Sequence, residues 1–300
     1  MLTKKTHHYF LRARGLETGK TFSVTGGIYK LSKGFIYKEK VVEDSDLWQQ
    51  LVLDSLADQG KKKQHIIVYI HGYLAENPWF ASLSGYTMHQ EIFDDLSHDV
   101  SQVLSLQWES GLYTIENRNL AFEKGKFFDR QLSLLNEACL QIGIHLTFSF
   151  LVHSMGNRVL EGFTHSWKQN KPDYPVNQMF LCAPDVPADV FGHSFSHLSG
   201  IAKDVHVLFH REDKTLRFAN VLIPFPRLGI YGNTQIEVDA PFKAKAVKKD
   251  KEKKGRVHFL DVTGMTDDDT ALGSRFSHHR YFYGSKNVVK YINEWLSTKQ

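Results

Sequence analysis

The chain has 300 residues, of which 42% are hydrophobic and 23% charged, and its formal net charge is +4. This composition is typical of a soluble globular enzyme, and it gives little support for nucleic-acid binding because much of the positive excess lies in residues 243–256. No run approaches the roughly 20 apolar residues of a membrane span, and the first residues lack the apolar core of a signal peptide, so we expect a cytoplasmic protein without stable membrane insertion.

The first 45 residues predict antiparallel strands. Three short runs alternate apolar and polar residues and are broken by glycines: HHYFLRAR, KTFSVTGG and GFIYKEKV. Alternation with glycine punctuation is the usual pattern of hairpin-connected strands. The segment that follows, EDSDLWQQLVLDSLADQG, has leucines at helical spacing, acids at its start and Gly60 at its end, which predicts a helix.

Beyond this helix the pattern changes to buried strands that alternate with helices. The predicted strands are QHIIVYIHG, VSQVLSLQW, IHLTFSFLVHS, VNQMFLCAPD, DVHVLFHRED and RVHFLDVT, and amphipathic helices lie between and after them. Such alternation predicts one α/β domain over residues 1–300, with a mostly parallel central sheet and helices on both faces. In such sheets the functional site lies beyond the carboxyl ends of the strands. The lysine-rich segment 243–256 is predicted to be a surface loop, with a docking patch for an acidic surface as the alternative.

The stretch FLVHSMGNRVLEG places Ser154 at the junction between a buried strand and a helix. A sharp strand–turn–helix elbow would lift the serine hydroxyl above the sheet edge and aim the Met155 N–H at a developing oxyanion. Small residues are needed two positions before and two after the serine, because strand and helix pass close there. Gly156 meets that need, whereas Val152 stands where G-x-S-x-G has its first glycine.

A second feature ends the first buried strand, in His71, Gly72 and Tyr73. A glycine at this point lets the backbone turn, so that the Tyr73 N–H could point at the same oxyanion as the Met155 N–H. The His-Gly strand end precedes the serine elbow in the chain, and both would aim a backbone N–H at one oxyanion. The two features therefore support each other.

The base and acid that such a serine needs have several candidates. The order Ser, acid, His places the acid after a strand that follows the elbow, at Asp185 or Asp213. The base must come after the last strand, where His278 and His279 precede the final helix. The residues alone leave both pairs open.

The chain resembles the α/β hydrolases, and is most similar to a bacterial branch filed as domain of unknown function 900. The stretches that carry the resemblance are YIHGY, LSLQW, HSMGNR, CAPDVPADVF, HREDKTL, PRLG and SHHRYF, from about Ile66 to the C-terminus. The resemblance implies an α/β-hydrolase fold and esterase- or lipase-like activity. It also implies Ser154 as nucleophile, His279 as base and Asp213 as acid. Asp185 is then expected to cap the helix that follows it.

Taken together, these patterns predict a serine hydrolase that cleaves a small-molecule carboxylic ester through an acyl-enzyme, without cofactor or metal. The segments 76–93 and 218–230 could wall an acyl pocket, although core packing accounts for either equally well. A catalytically inactive α/β-hydrolase scaffold or binding protein is the alternative. The sequence does not indicate an oligomeric state.

Metal chemistry has weak support in the sequence. His193 and His197 are four residues apart, as helical zinc ligands can be, but no Glu follows the first, so the H-E-x-x-H pattern is missing. Cys139 and Cys182 lie in apolar surroundings and form no C-x-x-C pair. We therefore expect two buried, reduced thiols, in keeping with a reducing compartment.

Overall fold

The computed structural model describes residues 7–14, 23–32, 35–42, 45–73, 100–167, 171–232, 256–265 and 278–297. Its strands are β1 (His7–Arg14), β2 (Ser23–Ser32), β3 (Phe35–Val42), β4 (Lys63–Ile70), β5 (Gln102–Trp108), β6 (His145–His153), β7 (Val176–Cys182), β8 (Ala202–Phe209) and β9 (Arg256–Asp261). Its helices are α1 (Ser45–Asp58), α2 (Ile115–Gln141), α3 (Gly156–Trp167), α4 (Lys214–Leu222), α5 (Leu228–Tyr231), α6 (Tyr281–Gly284) and α7 (Lys286–Ser297). Two 3₁₀ turns, Val190–Gly192 and Leu198–Gly200, lie between β7 and β8.

These strands form one sheet in the order β3-β2-β1-β5-β4-β6-β7-β8-β9. Strand β2 runs antiparallel to both β1 and β3, and all other described neighbours pair in parallel. The predicted mostly parallel sheet and the antiparallel N-terminal strands are therefore confirmed. Because β1 pairs in parallel with β5, the N-terminal strands extend the main sheet at one edge.

One N-terminal boundary differs from the prediction. The sequence pattern ends the second strand at the glycine pair 26–27, but β2 continues to Ser32. The reason lies in packing, because a Cβ added at Gly26 would overlap the side chain of Trp48 on α1. This glycine makes room for a buried indole and does not end the strand.

The central strands are buried because helices cover both faces of the sheet. One apolar cluster joins α1, α2 and α3 to one face, with Trp48, Phe128 and Phe150 among its members. A second apolar cluster packs the helices α4, α5, α6 and α7 against the opposite face, with Leu151, Phe180 and Ile292 among its members. Burial on both faces is what the continuous apolar runs of β4 and β5 predict.

Three other expectations concern the cysteines, membrane-spanning helices and two segments of the chain. Both cysteines are free and buried, as predicted, and burial raises the pKa of the Cys139 thiol to about 12. Within the ranges described above, no helix combines the length and the apolarity that crossing a membrane requires. Residues 76–93 and 243–255 lie outside the described residues, so the expectations placed on them stay predictions.

Candidate active site

Ser154 occupies a sharp turn between β6 and α3. Its φ is 53°, in the left-handed region that residues with a side chain rarely adopt. The turn is tight, because a Cβ added at Gly156 would lie 2.6 Å from the His71 carbonyl oxygen. The end of β4 is equally close, since a Cβ at Gly72 would lie 2.7 Å from the Ser154 Cβ. The predicted elbow therefore forms, with Val152 buried inside β6 two residues earlier.

Hydrogen bonds hold the strained backbone of Ser154 in place. Its N–H donates to the Cys182 carbonyl at 2.9 Å. Its carbonyl oxygen accepts from the N–H groups of Asn157, at 3.0 Å, and Asp185, at 3.1 Å. The Asn157 side-chain amide donates to the same oxygen at 3.0 Å. A strained conformation persists only when its surroundings over-determine it, and four hydrogen bonds do so here.

His279 and Asp213 are brought together beyond the end of β8. The ring nitrogen Nδ1 of His279 donates to Oδ2 of Asp213 at 2.7 Å, and both side chains are buried. The other carboxylate oxygen accepts the Leu216 N–H at 2.9 Å, which makes Asp213 the N-cap of α4. Because the carboxylate takes the Nδ1 proton, Nε2 of a neutral ring carries the lone pair that a general base needs.

The His279 ring lies beside the elbow. Its centroid is 4.7 Å from that of His153, the residue before Ser154, and the His153 Nε2 donates to the His279 carbonyl oxygen at 3.1 Å. Within the described residues, the Ser154 hydroxyl and the His279 ring share no hydrogen bond. Such catalytic hydrogen bonds are often long or poorly aligned until substrate is bound.

His153, the residue before Ser154, points towards His279. Successive side chains of a strand alternate between faces, so His153 shares the face of Leu151. That face is covered by α6, and the His153 ring lies 4.6 Å from the Phe282 ring. Burial, together with the neighbouring His279, holds the pKa of His153 well below its usual value. A neutral His153 can therefore tie the His279 backbone to the elbow.

His278 is turned away from the carboxylate. It has a positive φ of 50°, and its ring stacks on that of His210 at 4.8 Å. His210 is buried, and its Nδ1 accepts the Glu212 N–H at 3.1 Å. Of the two candidate bases, the structure therefore brings His279 to Asp213.

The expectation that Asp185 caps a helix is wrong. The next helical turn, Val190–Gly192, has Asp189 at its N-cap position. Asp185 is instead buried between two guanidinium groups: Arg227 Nε donates to Oδ1 at 2.7 Å and Arg118 Nη1 donates to Oδ2 at 2.8 Å. The Tyr113 hydroxyl donates to the same Oδ2 at 2.6 Å. Charge-assisted bonds of this kind are stronger than a neutral backbone cap.

The two expected oxyanion donors lie on either side of Ser154. Met155 is buried at the start of α3, and Tyr73 follows Gly72 at the end of β4. Neither backbone N–H has an acceptor among the residues that the structure describes. Their role in binding an oxyanion stays a prediction.

His71 holds the end of β4 against the end of β5. Its Nδ1 donates to the Gly72 carbonyl at 2.7 Å, and its Nε2 accepts the Trp108 N–H at 3.1 Å. The rings of His71 and Trp108 stack with their centroids 5.6 Å apart, a spacing typical of aromatic pairs. Burial lowers the pKa of His71 to about 4, so the ring is neutral near pH 7. The His-Gly pair therefore fixes the backbone that leads to Tyr73.

The histidine pair weighed as zinc ligands has separate partners. His193 faces Asp189 across 3.5 Å on the surface, while His197 contacts the Thr164 carbonyl oxygen at 2.9 Å. Across the described ranges, no three His, Cys, Asp or Glu side chains are grouped so that they could hold a metal ion.

Comparison with known proteins adds one finding to this geometry. A family model described as an alpha/beta hydrolase of unknown function (DUF900) matches residues 49–295, well over half of the chain. Among curated proteins, none matches the sequence. The matched range contains the elbow, the His279–Asp213 pair and both expected oxyanion donors. The chain therefore belongs to this family of α/β hydrolases.

Proposed function

We propose that this protein is a serine hydrolase that cleaves carboxylic esters through an acyl-enzyme formed on Ser154. Membership in an α/β-hydrolase family supports hydrolysis in general. The observation that carries the finer proposal is the 2.7 Å hydrogen bond between His279 and Asp213, on a ring that lies beside the strained elbow. Nucleophile, base and orienting acid thus come from three separate parts of the chain.

The reaction runs in two halves. Nε2 of His279 takes the hydroxyl proton of Ser154 as the oxygen attacks the ester carbonyl carbon, and Asp213 stabilises the imidazolium that forms. The N–H groups of Met155 and Tyr73 donate to the oxyanion of the tetrahedral intermediate. The imidazolium then protonates the leaving alcohol, which leaves an acyl-enzyme. Water, deprotonated by His279, attacks this ester and releases the acid and the free serine.

An apolar surface on α4, the helix that Asp213 caps, supports an ester with an apolar group. Three side chains of α4 are largely exposed: Phe218 by 64%, Val221 by 77% and Leu222 by 51%. A groove of about 550 Å³ follows this helix and is lined by Asn220, Pro224, Phe225, Pro226 and Tyr231. Exposed apolar surface of this extent often marks a ligand or partner site. Segment 218–230 divides its roles, since Leu228 and Ile230 pack in the core.

Covalent labelling tests the proposal directly. A fluorophosphonate should add one adduct to the purified protein, on the peptide that contains Ser154, and Ser154→Ala should abolish it. Initial rates on p-nitrophenyl esters of increasing chain length then measure the preference for apolar acyl groups. Turnover that survives in Ser154→Ala would overturn the mechanism. A folded protein that neither reacts nor turns over any ester would favour the binding-protein alternative.

A further inference from the structure

Three buried charged side chains and one half-buried tyrosine form a cluster beside the elbow that the proposed chemistry does not use. We call Tyr113, Arg118, Asp185 and Arg227 the arginine cluster. Arg227 and Asp185 are at most 1% exposed, and Arg118 is 7% exposed. The Asp185 carboxylate binds Arg227 through one oxygen, and Arg118 and Tyr113 through the other. The Tyr113 hydroxyl also accepts from Arg118 at 3.1 Å and from Arg227 at 3.0 Å.

The chain itself uses all the donors of Arg227. Its Nε donates to Asp185, its Nη1 to the Asn220 side chain at 2.7 Å, and its Nη2 to the Ala219 and Ile223 carbonyls at 2.9 and 3.0 Å. This guanidinium is therefore not arranged to bind a substrate. It fastens the segment after α4 to the end of β7.

Charge makes the arginine cluster sensitive to substitution. Two guanidinium groups face one carboxylate, and burial raises the pKa of Tyr113 to about 12, so the phenol stays neutral. Backbone carbonyls and the Phe225 ring, 4.1 Å from the Arg227 guanidinium carbon, face the excess positive charge. Removal of one member leaves other buried charges without a partner.

The arginine cluster touches both backbone segments that carry the expected oxyanion donors. The Asp185 N–H donates to the Ser154 carbonyl oxygen at 3.1 Å. That oxygen belongs to the same peptide unit as the Met155 N–H, and a planar trans peptide points its N–H away from its C=O. The bond from Asp185 therefore sets the direction of the Met155 N–H. On the other side, the Tyr113 ring packs edge-on against Tyr73, with centroids 5.3 Å apart.

We infer that the arginine cluster is a positioning device for the oxyanion hole. Arg118, Arg227 and Tyr113 hold Asp185, whose backbone orients the Met155 N–H, while the Tyr113 ring holds the segment that bears the Tyr73 N–H. The inference rests on the proposed serine mechanism. In this proposal the four side chains of the arginine cluster contact neither the substrate nor the reacting atoms. They act by keeping two donors aimed at the place where negative charge develops.

The test separates oxyanion stabilisation from folding. Arg227→Lys keeps the charge but cannot reproduce the planar fork, and Tyr113→Phe removes one hydroxyl while keeping the ring against Tyr73. Turnover is measured per active site, counted by fluorophosphonate titration, so that any misfolded fraction is excluded. Binding of a trifluoromethyl ketone, to which the Ser154 oxygen adds while its proton moves to His279, reports on the oxyanion.

We expect kcat per titrated site to fall about 10²-fold in Arg227→Lys, as for a misplaced catalytic geometry, with KM nearly unchanged. Tyr113→Phe should lose about tenfold, in keeping with one hydrogen bond. The affinity for the ketone should fall by the same factors in each variant. Asp204→Asn is the matched control, because it removes a buried carboxylate that binds His258 and not the elbow.

The outcomes are distinguishable. Wild-type kcat and ketone affinity per titrated site in both variants would overturn the positioning inference, while labelling of Ser154 would leave the proposed function standing. Turnover that persists in Ser154→Ala would overturn the proposed function first, and the inference with it. If Arg227→Lys does not fold, Tyr113→Phe alone decides between these outcomes.

Discussion

Two histidine–aspartate pairs lie near opposite ends of β8, and only one adjoins the elbow. His279 binds Asp213 beyond the carboxyl end of β8, at 2.7 Å. His258 on β9 binds Asp204 near the start of β8, at 3.0 Å. Both pairs are buried, and both join an imidazole to a carboxylate. The bond itself therefore does not distinguish a catalytic pair from a structural one.

The difference lies in which nitrogen the carboxylate takes and in what surrounds the ring. Asp213 takes Nδ1 of His279, which leaves Nε2 for a second partner. Asp204 takes Nε2 of His258, and the ring is packed between His206, at 4.7 Å, and Trp295, at 4.9 Å. A general base needs its free nitrogen to face the nucleophile, and of these two rings only that of His279 lies beside His153, the residue before Ser154.

Removal of the His279 imidazole should have the largest effect on turnover, and removal of the His258 imidazole is its matched comparison. His279→Ala should lower kcat about 10⁶-fold, the scale seen when a triad base is deleted from a protease. His258→Ala should leave kcat per titrated site unchanged, because its ring is far from the elbow. Ester hydrolysis per mole of folded protein measures both, because a variant that lacks the proposed base cannot be titrated with a fluorophosphonate. His278→Ala should also remain active, and a dead His278→Ala beside an active His279→Ala would exchange their roles.

The second largest effect is expected from Asp213, the acid of the proposed catalytic pair. Asp213→Asn should lower kcat about 10⁴-fold, because an amide cannot hold the Nδ1–H tautomer or stabilise imidazolium. The asparagine oxygen can still accept the Leu216 N–H, so the cap of α4 is kept, and the free energy of unfolding should fall only by about 1–3 kcal/mol, the cost of the weakened buried bond to His279. Turnover and urea unfolding are measured on the same preparation. Activity within tenfold of wild type would remove Asp213 from the mechanism.

Local pattern and chain order suffice to predict the fold, and together with the family resemblance they name the candidate site residues that the structure places around the elbow. The elbow at Ser154 is visible because a buried run of period-two residues changes to a helical one at that point. Chain order places an acid after a strand beyond the elbow and a base before the last helix. The family resemblance then selects Asp213 and His279. Each of these signals lies within a few residues of the one it identifies.

The residues that the sequence did not reveal depend on long-range packing. Arg118 meets Asp185 across 67 positions of the chain, and nothing in the pattern of α2 marks it as a partner. Arg227 lies in the PRLG stretch, which signalled family membership but not the ion pair. The contact of His153 with His279 depends on which face of β6 the helix α6 covers. Such contacts follow from how the elements pack, which local periodicity does not specify.

Low pH should lower the free energy of unfolding, because unfolding lets buried histidines take up protons. Burial lowers the pKa of His206 to about 2, whereas an unfolded chain binds its proton near pH 6.5. The unfolded state therefore binds more protons between these values, and stability falls as the pH drops below about 6.5, by about 1.4 kcal/mol per pH unit for one such group. Urea unfolding at pH 7.5, 6.0 and 5.0 measures the slope. His206→Gln should remove the contribution of one proton from the dependence of the unfolding free energy on pH. An unchanged dependence would show that His206 is not its cause.

The smallest expected effect on turnover is that of Asp204→Asn, and it is the sharpest check on the comparison. Asp204 lies in β8 opposite β9, and its carboxylate binds His258 and not a group at the elbow. Asparagine keeps an oxygen that can accept from a ring N–H, so the loss of stability should be about 1–3 kcal/mol, the cost of a weakened buried bond. Because no hydrogen bond among the described residues leads from this pair to Ser154, kcat and KM per titrated site should stay within about twofold of wild type. If Asp204→Asn instead lost turnover as Asp213→Asn does, burial of any histidine–aspartate pair would suffice for the effect. Neither the ring nitrogen that the carboxylate binds nor the position of the pair in the sheet would then distinguish the two pairs.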